Sequence, residues 1–305
     1  MIVVNASERP PAERLTGEGA VAIAIGNFDG VHAGHRSVLG KLLALAAAAG
    51  IPAWVYTFDP APTAVLVPER HQPRLLTLPR KLELLAALGI NGVVVEAFTP
   101  AFAAQTAEAF ARRTLVDRLG ASVIVVGWDF RFGAGRGGDF DALRAALPGA
   151  TLEQVPPLLV DDAPVSSSRV RRLIAAGDVT GAAALLGRPH RIAGEVVHGD
   201  ARGRTIGVPT ANLSLPPELC LPAHGVYAVH ALGRQAVLNL GVRPTFGGSA
   251  LRAEVHILDW EGDLYGQVLA VDVITRIRGE QRFESVEALK RQIAADITVA
   301  RAVGA

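Results

Sequence analysis

The chain has 305 residues, half of them hydrophobic and 19% charged, which is long for one domain and sufficient for two apolar cores. Thirty basic and 29 acidic residues leave a formal net charge of +1, so no general attraction to nucleic acid is expected. The lone cysteine, Cys220, excludes an internal disulfide and a cysteine-built metal site, and reads as a small buried hydrophobe in a reducing compartment.

The opening MIVVNASERPP lacks the basic region and long apolar core of a secretory signal. The longest apolar run, 42–56, is broken by Gly50 and Pro52 and is too short to span a bilayer. A cytoplasmic protein is expected, monomeric or weakly homo-oligomeric, with no membrane or nucleic-acid partner.

Two hydrophobic rhythms alternate through the first half. Short β-like runs lie at 21–26, 53–58, 92–95, 122–127 and 152–155, with helix-like stretches at 35–49, 79–88, 107–119 and 140–147. This alternation predicts an α/β fold with a doubly wound, Rossmann-like parallel sheet covered on both faces. Two short helices, 169–176 and 179–186, close this unit. Gly187-Arg188-Pro189 reads as a connector, giving expected domains 1–187 and 188–305. Beyond it lie strands at 192–197, 225–231, 235–240, 253–258 and 268–274. A helix over 286–299 keeps Val286, Leu289, Ile293 and Ile297 at helical spacing. A small β-barrel or sandwich with a C-terminal helix is expected.

The most informative segment runs from Gly26 to His35, GNFDGVHAGH, between a strand and a helix. In open α/β sheets phosphates bind there, beyond the carboxyl end of a strand and against free N–H groups at a helix start. Gly26, Gly30 and Gly34 allow close backbone approach. His32 and His35 share a helical face and can donate hydrogen bonds to charge building on a phosphoryl group. Each histidine read alone is as well explained as a surface or capping residue, and Asp29 as a turn-ordering residue.

His32-Ala33-Gly34-His35 matches the HxGH signature of the nucleotidyltransferases. The longer string resembles the adenylyltransferase half of bacterial bifunctional riboflavin kinase/FAD synthetases. The resemblance implies that both histidines bind ATP phosphates and stabilise the transition state as FMN phosphate attacks the α-phosphorus and pyrophosphate leaves. It places Gly26, Phe28, Asp29 and Gly34 in the nucleotide-binding string.

Two further segments are similar to the same family. In Val126–Gly133, the resemblance gives Asp129 and Arg131 a part in holding nucleotide or flavin; Phe130 and Phe132 flank a ring or simply belong to the core. Ser166, Ser167, Ser168 and Arg169 resemble a triphosphate clamp at a helix start, where capping alone explains one serine. The stretch Thr57–Pro62 departs from the family, with Ala61 where a histidine is usual.

The second half contains a glycine-rich string, 194–213, that lacks the spacing of a Walker loop and suggests a phosphate-wrapping flap. Thr210 and Asn212 are two apart and point the same way on extended chain. Two neutral oxygens completed by phosphates and water suit Mg²⁺. Glu254 shares a strand face with His256. It could take a proton from a substrate hydroxyl, although spacing alone favours a solvated carboxylate.

Gly203 to Asn212, Gly225–Ala228, Asn239–Gly247 and Glu254–His256 resemble riboflavin kinase motifs. That likeness assigns Thr210 and Asn212 to Mg-ATP and Glu254 to the role of base. It draws Gly199, Gly203, Arg204 and Asn239 into the binding site. Gly279 replaces an acid usual in the family's RxEQxF stretch, here 278–283.

The expected function is therefore flavin cofactor synthesis: riboflavin to FMN and FMN to FAD, with ATP as co-substrate and Mg²⁺ as cofactor. Two other readings are a specialised relative whose first head is weak or altered, motivated by Ala61, and a flavin-binding regulator without turnover.

Overall fold

The computed structural model describes residues 1–10, 13–70, 72–199, 207–245 and 248–303. Gly203 and Arg204 lie outside the described residues. Two compact units form. One comprises Met1–Gln72 with Leu76–Ser166, the other Pro73–Leu75 with Ser167–Ala305.

In the first unit, strands β1 (Ile2–Asn5), β2 (Val21–Ile25), β3 (Ala53–Phe58), β4 (Gly92–Glu96), β5 (Ala121–Gly127) and β6 (Thr151–Val155) make a parallel sheet ordered β1-β4-β3-β2-β5-β6. Helices α1 (Ala33–Ala49), α2 (Pro62–Leu66), α3 (Leu78–Ala87), α4 (Pro100–Ala103), α5 (Ala107–Ala109) and α6 (Phe140–Ala146) join them. A small hairpin of β7 (Leu159–Val160) and β8 (Ala163–Pro164) follows. The β2 run VAIAI is buried along its whole length, as expected of a strand covered on both faces. Strand order reverses at β2, whose neighbours are β3 and β5. The crevice beyond its carboxyl end is where open α/β sheets bind ligands.

Besides the short helices α2 and α4 and the β7–β8 hairpin, which the sequence periods do not mark, β1 and the segment after α5 differ from the sequence expectation. β1 is a short edge strand pairing in parallel with β4. Residues 110–118 continue α5 as a π-helix, in which the Leu119 N–H donates to the Thr114 carbonyl five residues back. The five- and four-residue intervals between buried Phe110, Leu115 and Leu119 suit turns wider than those of an α-helix.

The second unit resolves the choice between barrel and sandwich in favour of a closed barrel. Strands β9 (His190–Val197), β10 (Ala211–Ser214), β11 (Gly225–Ala231), β12 (Arg234–Thr245), β13 (Gly248–Ile257) and β14 (Val268–Arg278) run in the order β10-β13-β12-β11-β14-β9. All pair antiparallel, and β9 closes the ring on β10. Tyr227, Leu238, Val255, Val271 and other alternate residues fill the interior. The intervening Val226, Val237, Asn239, Glu254 and His256 line a cavity shared with α9 (Val286–Val303). Helices α7 (Ser167–Ala176) and α8 (Val179–Leu186) group with this unit: Val179 of α8 packs into the barrel core with Ile192 and Val273, and α7 packs on α8. Periodicity alone places them at the end of the first unit.

Candidate functional site

In the first unit, the string after β2 turns sharply before α1. Phe28 and Val31 adopt left-handed φ values of 48° and 40°, and Gly30 has φ 95°. The backbone strain at Phe28 and Val31 is held by burial, since both side chains are almost wholly enclosed. Phe28 is therefore a support: its ring meets His35 edge-on at 5.3 Å. A methyl group on Gly26 would press against that ring at 3.2 Å. Asp29 is also buried, and its carboxylate accepts the Leu76 N–H at 3.2 Å, which orders the turn.

His32 is the N-cap of α1, its Nδ1 accepting the His35 N–H at 3.2 Å. An accepting Nδ1 puts the proton of the neutral ring on Nε2. The two imidazoles stack at 3.6 Å and 15°. His32 is buried and His35 half-buried. Desolvation, and then the neighbouring His32 and Lys81, hold His35 well below the usual histidine range. His35 Nδ1 is buried without a hydrogen-bond partner. An adjacent methyl on Gly34 would crowd both His32 and the Val165 carbonyl, which explains a glycine between the histidines.

Lys81 is a member of this cluster that no sequence motif marks. It projects from α3, is 6% exposed, and its Nζ donates to the Thr57 hydroxyl at 3.3 Å. Thr57 in turn donates to the Asn27 carbonyl at 3.2 Å. A buried ammonium group is costly unless it is paired or hydrogen-bonded, and here it is linked through the Thr57 hydroxyl to Asn27 of the glycine-rich string. An amphipathic α3 with one lysine among leucines was the available signal.

The segment after β5 leaves Asp129 exposed. Arg131 pairs at 2.8 Å with Asp139, the N-cap of α6, so its guanidinium braces the following loop. Phe132 belongs to the core and Phe130 stacks on it at 5.2 Å. Ala61 is the N-cap of α2, with no side-chain cap bond. Ser166 precedes α7 directly; Ser167, Ser168 and Arg169 occupy its first turn.

In the barrel unit the register assembles the second constellation. Asn212 on β10 faces Glu254 on β13, and Glu254 faces Asn239 on β12. Three polar residues thus stand in a row across adjacent strands. Thr210 immediately precedes β10. A cavity of about 390 Å³ is lined by Thr210, Asn239, Glu254, Arg278, Phe283 and others. Glu254 is largely buried and ion-paired with Arg252. Gly199 lies so close to Asn212 that a side chain there would collide with its amide. The helix α9 is fastened to this wall by Arg278, which forks onto the buried Asp296 at 2.9–3.1 Å, with Gln292 also bonding Asp296. His256 bonds the Pro209 carbonyl at 2.7 Å. Among the described residues no group of three or more His, Cys, Asp or Glu is placed to hold a metal.

A family model for FAD synthetase matches residues 16–169, and one for riboflavin kinase matches residues 186–303. The bifunctional riboflavin kinase/FMN adenylyltransferase of Pseudomonas fluorescens is 43% identical over 294 residues, covering 94% of each chain. That of Escherichia coli K12 is 42% identical over 291 residues, covering 93% of this chain and 92% of its own. A crystal structure described as a macrolide-efflux protein from Streptococcus pneumoniae superposes with a TM-score of 0.87 at 32% identity, covering 98% of both chains. Among the described residues no helix is long and apolar enough to cross a membrane. The chain belongs to the bifunctional riboflavin kinase/FMN adenylyltransferase family.

Proposed function

We propose that this protein phosphorylates riboflavin to FMN and then adenylylates FMN to FAD, each reaction on its own group of residues. The functional division falls at 187/188. The observation that carries the kinase assignment is the register placing Glu254 between Asn212 and Asn239 on a cavity wall.

In the kinase head, the Glu254 carboxylate takes the proton of the riboflavin 5′-hydroxyl as that oxygen attacks the γ-phosphorus of ATP. The bond to the β-phosphate oxygen breaks and ADP leaves. Arg252 orients the carboxylate through their ion pair. Mg²⁺ fits this donor set: the Thr210 hydroxyl and Asn212 carbonyl are neutral oxygens that phosphates and water would complete. Bound there, it would neutralise phosphate charge. Gly199 keeps the space beside Asn212 open.

In the adenylyltransferase head, an FMN phosphate oxygen attacks the α-phosphorus of ATP and pyrophosphate leaves. His32 donates from Nε2 to the charge that develops on phosphate oxygens, and His35, kept neutral by its surroundings, stands stacked beside it. The buried Lys81 charge adds to the same positive field. Asp129 and the Ser166–Arg169 stretch take up nucleotide or flavin groups, as their likeness to family motifs suggests. The reactions suit a cytoplasmic protein acting as a monomer or weak homo-oligomer.

Purified protein given riboflavin and Mg-ATP should accumulate FMN and then FAD, resolved by chromatography. Absence of both products would reject this reading. No observation favours the specialised relative or the non-catalytic regulator.

A further inference from the structure

We propose that His256 is a positioning residue of the kinase head, whose imidazole fixes Thr210 by hydrogen-bonding the Pro209 carbonyl. The inference rests on the assignment of Thr210 and Asn212 to the nucleotide.

The β10–β13 ladder pairs Asn212 with Glu254 and Ala211 with Val255. Thr210, the residue before that ladder begins, and His256 line the same cavity. Proline has no N–H, so Pro209 cannot donate another rung to the ladder. The segment is tied through its carbonyl instead: His256 Nδ1 lies 2.7 Å from the Pro209 carbonyl oxygen. A carbonyl only accepts, so Nδ1 carries the hydrogen. The bond therefore persists whether or not Nε2 is protonated. His256 is two residues from Glu254, so strand alternation puts both side chains on the cavity face. One strand thereby carries the proton acceptor and also anchors the segment that presents Thr210. Without the tie, Thr210 would sit at the free end of a four-residue strand.

Two variants test this, His256→Phe, which keeps a ring but no donor, and His256→Gln, which keeps an N–H. The kinase kcat and KM for Mg-ATP are measured, with FAD formation from supplied FMN in the same preparation as a control on the rest of the chain. His256→Phe should raise the KM for Mg-ATP about tenfold, the worth of one hydrogen bond, and change kcat less. His256→Gln should restore most of the loss. An unchanged KM in His256→Phe, or equal impairment of both variants, would overturn the proposal. Nitrogen NMR of the unsubstituted protein gives a second reading that does not depend on a variant folding. The neutral His256 ring should carry its proton on Nδ1, and an Nε2–H tautomer would overturn the assignment. Wild-type protein that made no FMN would instead refute the kinase reading itself.

Discussion

Asn212 and Glu254 are register partners across the β10–β13 ladder. Backbone strand pairing thus sets the distance between the residue proposed to bind nucleotide and the proposed proton acceptor. Such a site is carried on rigid strands, and its geometry changes only when the strands shift.

Gly199 tests how closely this arrangement is packed. Its Gly199→Ala variant would place a methyl group on the Asn212 amide. The amide would be pushed off the nucleotide, and the KM for Mg-ATP in riboflavin phosphorylation should rise about tenfold. FAD formation from supplied FMN should be unchanged in the same assay.

The depressed His35 value makes stability depend on pH. The unfolded chain binds a proton at His35 more readily than the folded one, since burial and the nearby His32 and Lys81 disfavour the cation. Stability is therefore fully present above about pH 6.5 and falls as the pH drops below it, by about 1.4 kcal/mol per pH unit at most, until the folded-state value is passed. His35→Asn should remove that slope. Denaturant unfolding of both proteins at several pH values measures it, and identical slopes would count against the assignment.

Lys81→Met replaces a buried ammonium by a side chain of similar shape, so stability should change little. Loss of the charge should slow FAD formation about tenfold while riboflavin phosphorylation stays at its original rate. The His35 titration, followed by imidazole proton NMR, should move upward, because one of the positive charges opposing its protonation has gone.

Most of the architecture could be read from the sequence because its periods are clear. The nearly continuous apolar runs at 53–58 and 122–127 mark strands buried on both faces, and they became β3 and β5. β1 escaped because only Val4 of its four residues is buried, which leaves no alternation to detect. The wide turns over 110–118 escaped because helical periodicity does not separate intervals of four from intervals of five. At the sites, glycine spacing revealed the string at 26–35 and Asp29 could be read as ordering its turn, as its bond to the Leu76 N–H does, but nothing local marked Phe28 as a support within the turn. Lys81 and His256 act through partners distant in sequence: Thr57 lies 24 residues from one and Pro209 47 from the other. No local pattern encodes such pairs.

The most direct test of two separate reaction centres uses His32→Asn and Glu254→Gln, with products from riboflavin or FMN plus Mg-ATP followed by chromatography. Asparagine can still cap α1, so His32→Asn removes the imidazole without removing the cap. It should stop FAD formation and leave riboflavin phosphorylation intact. Glu254→Gln should lower FMN formation from riboflavin by about 100-fold or more and spare FAD formation from supplied FMN. If either substitution abolished both reactions in a folded protein, or neither reaction responded, the account of two independent centres would be contradicted.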